Sequence, residues 1–399
     1  MKDKYLYWLD RIEGLGNVAK RNLLEAFGSA RELYEGQEKY VKYILDERKL
    51  GLFLKARKEL EVERAFETAC REGIEFVCCF EEAFPKKLQN IPDAPFGLYY
   101  KGSLPLDELP AVAVIGAREC SGYGEYVAGE LGKMLGDQGI QVISGMAKGI
   151  DGISQSAALD AGGVSYGVLG CGVDVCYPKS NKRLYEELIQ RGGILSTYPP
   201  GTQPQARLFP PRNRIVSGLA DVLVVIEARQ KSGTYITVEM ALEQGRDIYA
   251  VPGRVTDRLS DGCNKMLKEG AHVFLSPQDF LMDLQELMPF RMEELKRASL
   301  QNKLYVMGGC KEEIGRGSSK DIQDSDSKGK EPQSEQGDEL TGALCKLLDF
   351  YPKSVEELVA QLKEQYKITQ KPEELTAQLM LMCLYGLAVQ ESAGWFRKA

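Results

Sequence analysis

Between residues 110 and about 280, short apolar runs alternate with helical patterns, and several of the runs break at a glycine-rich turn. The runs fall at 111–115, 140–144, 165–169, 194–196, 221–227, 247–251 and 272–275. Strand-length runs separated by amphipathic stretches specify βαβ units, and serial βαβ units build a mostly parallel sheet with helices on both faces. Two further runs, 74–79 and 96–101, lengthen that sheet. The expected fold class is α/β: an extended Rossmann-like doubly wound sheet with a small N-terminal helical domain and a C-terminal winged-helix domain. In such sheets ligands bind beyond the carboxyl ends of the strands, where helix N-termini turn amide groups outward.

The residues at those carboxyl ends are unusual. Ile115-Gly116-Ala117-Arg118-Glu119-Cys120-Ser121-Gly122 follows the 111–115 run; Gly116 permits a sharp turn, Ser121 is a natural helix cap, and Arg118 adds a cation. Ser144-Gly145-Met146-Ala147-Lys148-Gly149-Ile150-Asp151 follows the second run, and Lys148 is within reach of an anion there. Ser232-Gly233-Thr234 opens another helix after the 221–227 run. Any one of these is an ordinary βα turn. Three on one sheet edge, each beside a basic or hydroxyl residue, point to phosphate.

Other chemistries lack their parts. The first turn is not G-x-G-x-x-G, and no acidic residue ends the second strand to hold a ribose hydroxyl, which disfavours a dinucleotide. No G-x-x-x-x-G-K-[ST] is present. The single histidine, His272, leaves a zinc site or a histidine-based triad with almost nothing to work with. Asp151, Asp174 and Glu239 do not pair with a nucleophile; Asp151 is expected to order its own loop. No catalytic residue, metal or cofactor is expected.

The chain has 399 residues, too many for one ordinary core. We expect a helical domain over 1–65, the sheet domain over 66–307, a disordered linker over 308–339 and a winged helix over 340–399. The linker stretch is rich in Ser, Gly, Lys, Asp and Glu and lacks the apolar residues a core requires. In the first segment, Ile12-Glu13-Gly14-Leu15-Gly16 between two helical patterns has the helix-hairpin-helix form. Two readings stand: turn amides meeting a DNA phosphate with Lys20 and Arg21 in support, or a tight turn between packed helices. The last segment shows helical patterns at 340–350, 355–365 and 373–385, then two short strands; its acidic helices favour protein contact or packing.

A net charge of −7 argues against nucleic acid at first sight, but 199–220 carries Arg207, Arg212 and Arg214 with no acidic residue. A local basic surface is compatible with an acidic chain. The ten cysteines are scattered without a CxxC pair, and neither a secretory leader nor an apolar run of membrane-spanning length is visible. Free thiols and a cytoplasmic location, away from membrane, are the expectation.

The motifs together resemble the DNA-processing protein A family (DprA/Smf). The resemblance rests on Ala113-Val114-Ile115-Gly116-Ala117-Arg118 through Tyr123-Gly124, the Ser144–Asp151 turn, and Gly167-Val168-Leu169-Gly170-Cys171-Gly172-Val173-Asp174 with Tyr177-Pro178. Its most specific part is Phe209-Pro210-Pro211-Arg212-Asn213-Arg214-Ile215-Val216-Ser217-Gly218-Leu219. The resemblance implies a single-stranded-DNA-binding protein that protects incoming DNA and helps load the recombinase RecA in natural transformation, as a homodimer. Carried over by position, Arg118, Lys148, Arg212 and Arg214 would pair with phosphates, and Gly116, Ser121, Gly145, Ser232, Gly233 and Thr234 would line the pocket. Arg212 and Arg214 also admit a second reading, in which one buttresses the loops through a carboxylate such as Glu227. Where the family has a histidine, this chain has Gln155, which retains hydrogen bonding but not acid–base chemistry. The alternative class is a phosphoribohydrolase-like, nucleotide-processing enzyme of the related superfamily. Its glycine pair is missing from Gln230-Lys231-Ser232-Gly233-Thr234.

Overall fold

A computed structural model describes residues 3–59, 61–295, 297, 340, 344, 347–348, 353–366, 368, 370–384, 388–392 and 395–398. The expected linker over 308–339 lies outside them. The chain divides into two compact units, residues 1–314 and 315–399.

The first unit is built on a nine-stranded sheet. Its strands are β1 (Glu75–Cys78), β2 (Gly97–Gly102), β3 (Ala111–Gly116), β4 (Gln141–Ser144), β5 (Ser165–Val168), β6 (Gly192–Ser196), β7 (Val222–Ile226), β8 (Asp247–Ala250) and β9 (His272–Val273). Each apolar run became a strand. The order is β1-β2-β6-β5-β4-β3-β7-β8-β9. β1, β2 and β6 pair antiparallel, and every pairing from β6 to β9 is parallel. After β3 the chain winds toward β4, β5 and β6, then returns to the other side of β3 as β7. The order therefore reverses at β3 and β7, where a doubly wound sheet opens a crevice.

Helices α1 (Lys4–Asp10), α2 (Asn17–Phe27), α3 (Ala30–Glu35), α4 (Glu38–Val41), α5 (Glu47–Glu59) and α6 (Val62–Arg71) precede the sheet, and α7 (Lys86–Gln89) lies between β1 and β2. The crossovers are α8 (Gly122–Asp137), α9 (Ile150–Asp160), α10 (Lys182–Arg191), α11 (Phe209–Leu219), α12 (Gly233–Glu243) and α13 (Asp261–Lys268), with α14 (Pro277–Leu287) after β9. Central strands are buried on both faces, as parallel strands covered by helices must be: all five residues of β7 are inaccessible. The N-terminal helices share a core with the antiparallel end. Tyr7 meets Phe76 and Tyr99 edge-on at centroid distances of 6.0 and 5.7 Å. That core crosses the 65/66 boundary expected from the helical periodicity.

In the second unit, β10 (Lys353–Ser354), β11 (Ala388–Ser392) and β12 (Trp395–Lys398) form a sheet in the order β10-β12-β11. It accompanies α15 (Val355–Gln361) and α16 (Pro372–Leu384). Ser354 and Glu357 close a capping box at the start of α15, which explains why the helix begins there. The first helix expected of a winged helix, over 340–350, falls mostly on residues outside the described set.

Candidate nucleic-acid interface at the strand switch point

The loops after β3, β4 and β7, together with the start of α11, enclose a cleft of about 690 Å³. Gly116, Arg118, Gly145, Arg212, Ser232, Gly233 and Thr234 all line it. Lys148 lies next door, in a smaller recess of about 120 Å³ that shares Arg118, Gly145, Phe209 and Arg212 with the main cleft. Eight of the ten residues expected at the site thus converge.

Their roles differ from the sequence reading. A Cβ at Gly116 would overlap the Ile226 carbonyl oxygen, so this glycine lets β3 and β7 approach. At Gly145 a Cβ would stand 2.5 Å from Arg212 Nη1 and 2.8 Å from Asp151 Oδ2. Those two side chains hold the Gly145 peptide groups from opposite sides: Gly145 N–H donates to Asp151 at 3.1 Å, and Arg212 Nη1 donates to Gly145 O at 2.8 Å and to Val168 O. Both residues are buried. Burial pushes the Asp151 carboxyl up and the Arg212 guanidinium down, and each charge opposes the shift of the other. Arg212 is a brace in the cleft floor, with Asp151 ordering the loop as its position implied.

Two expected residues are not brought to the cleft lining. Ser121 caps α8, accepting from Gly124 N–H at 3.2 Å, and donates its hydroxyl to Glu227 Oε1; its own N–H donates to Glu227 Oε2 at 2.9 Å. Arg214 pairs with Asp93, and neither residue lines the cleft. Neither arginine meets Glu227, the carboxylate expected to receive one of them: Arg212 donates to backbone carbonyls and Arg214 to Asp93, while Glu227 serves the β3–α8 loop.

Arg118 and Lys148 are exposed, and among the described residues neither forms an ion pair. The Arg118 guanidinium stands 5.7 Å from the centroid of Phe209, whose ring lies 5.7 Å from that of Tyr177. The N-terminus of α12 opens on the same cleft, Ser232 making no cap hydrogen bond and its Oγ buried without a partner. A helix start with unspent amides and hydroxyl, beside two unpaired cations, is an anion site by geometry. Aromatic rings at its mouth add a face on which a base can stack. Sequence reasoning did not single out Phe209, Tyr177 or Arg229 as lining residues, though Phe209 and Tyr177 belong to motifs it had quoted and Arg229 lies just before the Gln230–Thr234 segment.

Gln155 is buried and fully occupied: Met146 N–H donates to its Oε1 at 3.2 Å, and its Nε2 donates to Ser165 Oγ at 3.1 Å and Tyr166 O at 3.0 Å. It fastens the β4 loop to β5. In the N-terminal segment, Lys20 pairs with Asp10 at 3.0 Å in a buried contact, and Arg21 donates to Pro95 O at 3.2 Å. Both basic residues of the Gly-Leu-Gly hairpin serve packing.

Fold and site define a Rossmann-like protein with an anion-holding cleft at its strand switch point. The model of the DNA recombination-mediator protein A family matches residues 75–285, more than half of the chain. The DNA processing protein DprA of Streptococcus pneumoniae is 44% identical over 209 residues, 51% of this chain and 72% of that protein. Its counterpart in Bacillus subtilis is 36% identical over 54% of this chain and 73% of its own length. The X-ray structure of the Streptococcus pneumoniae protein superposes with a TM-score of 0.62 at 36% identity, covering 70% of this chain and 97% of that one. The chain belongs to the DNA recombination-mediator protein A family, also called DprA/Smf, and its role lies in DNA processing and recombination. Among the described residues no helix is long and apolar enough to cross a membrane.

Proposed function

We propose that this chain binds single-stranded DNA in the switch-point cleft without chemical turnover, and that the bound strand is thereby protected and offered to RecA. The observation that carries the reading is the convergence of Arg118, Lys148 and the uncapped start of α12 on one concave surface. Phosphates satisfy all three, and none of the three reads a base, so binding is sequence-tolerant. Membership in a family of recombination mediators supports RecA as the partner, and the family resemblance supports a homodimer. Among the described residues lining the cleft, the buried carboxylate of Asp151 is tied to Gly145 and faces Arg212, which supports a structural use of that acid.

The test is fluorescence anisotropy with labelled oligothymidine across a salt series. Three to five held phosphates give a log–log slope of about −2 to −3.5, at roughly −0.7 per phosphate. A flat response would remove the phosphate cradle. Release of adenine from AMP would overturn the non-catalytic reading and favour the phosphoribohydrolase class.

A further inference from the structure

At one rim of the cleft the cations differ from those on the helices. Along the helices exposed cations pair with a glutamate one turn away: Arg31 with Glu35, Lys182 with Glu186, Arg183 with Glu187 and Lys265 with Glu269. Arg229 and Lys231 in the β7–α12 loop, and Arg254 and Arg258 in the β8–α13 loop, are also exposed. Among the described residues none of these four forms an ion pair or a side-chain hydrogen bond. The acids beside them are engaged. Asp257 Oδ1 accepts from Leu259 N–H at 2.9 Å, and Asp261 lies in the first turn of α13, whose amides favour its charge. The two loops form one surface. Gly262 N–H donates to Ala228 O at 2.7 Å, and a Cβ at Gly262 would stand 3.0 Å from Arg229 O, so the start of α13 is pressed against the β7–α12 loop. Asn264 clasps the neck of the β8–α13 loop, accepting from Gly253 N–H at 3.2 Å and donating to Gly253 O at 3.0 Å. Tyr123 donates its hydroxyl to Pro252 O at 3.1 Å. Arg229 and Leu259 line the cleft itself, so this loop begins beyond β8 and ends at the cleft wall.

We propose that the β8–α13 loop is the exit track of the strand held in the cleft, on which Arg254 and Arg258 grip two further phosphates of single-stranded DNA. The inference rests on the cleft binding single strands and adds the side on which the strand leaves. A single strand is a continuous polyanion, so each unpaired cation on its way releases counterions and adds affinity. A cation already paired must first give up its carboxylate. That disfavours the α10 flank of the cleft, where Lys182 and Arg183 are paired, and favours the β8 flank. Arginine suits the task, because its planar fork holds a phosphate by two hydrogen bonds. The clasp at the neck lowers the cost of ordering the loop around the strand. Arg118, Lys148 and the start of α12 grip the strand inside, and Arg254 and Arg258 grip it outside.

Anisotropy of the full chain with labelled oligothymidine of about 16 nucleotides, the upper end of single-strand site sizes, tests this across a salt series. In Arg254→Ala with Arg258→Ala the log–log slope should relax from about −3.5 to about −2, at roughly −0.7 per phosphate, with the largest loss of affinity at low salt. Arg254→Glu with Arg258→Glu should weaken binding further. Phenylglyoxal modification read by mass spectrometry needs no variant. Oligothymidine should slow it at Arg254 and Arg258 and leave it unchanged at Arg31, which is paired with Glu35. Arg118→Ala separates this proposal from the cleft reading. The exit track is overturned, and the cleft stands, if Arg118→Ala weakens binding while the loop variants keep the parent's slope and affinity and DNA protects neither loop arginine. The cleft reading falls, and the phosphate grip of the loop stands, if the loop variants lose slope while Arg118→Ala binds as the parent does.

Discussion

The Gly-Leu-Gly hairpin at the N-terminus and the β4–α9 loop in the cleft look alike in sequence. Each places glycines at a helix start and a lysine within four residues of the turn. In the fold they part. Lys20 is folded inward onto Asp10, with both side chains under a tenth exposed, while Lys148 stands in solvent without an anion partner among the described residues. The same contrast divides the arginines, Arg118 being free to meet a ligand while Arg212 is enclosed by carbonyl oxygens. A cation near a glycine turn becomes a ligand group only where the tertiary structure supplies it no partner of its own.

The largest effect should come from the enclosed side. Arg212→Ala leaves the Gly145 and Val168 carbonyls without their buried donor and Asp151 without a nearby cation, a loss of about 2–6 kcal/mol of stability at roughly 1–3 kcal/mol per unsatisfied buried group. Thermal or urea unfolding measures it. If Arg212→Ala retains wild-type stability and loses DNA binding alone, Arg212 belongs with the ligand groups and the contrast fails. Next comes Arg118→Ala, which should cost about 1.5–3 kcal/mol of oligothymidine affinity, as for a hydrogen bond to a charged group, with the melting temperature unchanged. The loss should be equal for other sequences, since phosphate contacts do not read bases. A smaller effect is expected of Lys148→Ala, which removes a solvated point charge worth about 0.2–1 kcal/mol. A loss exceeding that of Arg118→Ala would reverse their ranking.

The fold was legible because its signals are local. Apolar runs of strand length, broken by glycine and separated by helical periods, need no knowledge of partners, and all nine strands stand where those runs lie. The run at 272–275 was read too long; β9 is an edge strand of two residues with both side chains exposed, so little of the run is held by pairing. At the site, the loops were legible and the direction of their side chains was not. Arg212 reaches Gly145 across 67 positions, Ser121 reaches Glu227 across 106, and Arg214 reaches Asp93 across 121. No spacing in one sequence encodes such pairs. Glu227, whose backbone takes a φ of 55° at the end of β7, was expected to receive an arginine; the β3–α8 loop claims it instead.

The smallest effect on DNA is expected where the N-terminal hairpin is altered, and it tests the other half of the comparison. Lys20→Ala alone would strand Asp10, so any change in binding would be confounded by damage to the core. Replacing both partners reduces this: Asp10→Leu with Lys20→Met removes the charge pair and fills the space with apolar atoms, leaving only the Asp10 carbonyl without its lysine donor. Such exchanges of buried ion pairs for packed side chains are often neutral or stabilising by about 1–4 kcal/mol, because two charges no longer lose hydration. The double variant should fold, lose no more than about 1–3 kcal/mol of stability from the one unsatisfied carbonyl, and bind oligothymidine with unchanged affinity and salt slope. Reduced affinity in a protein that stays folded would mean that Lys20 leaves Asp10 to meet a phosphate. The hairpin would then be a second DNA contact and not a packing element.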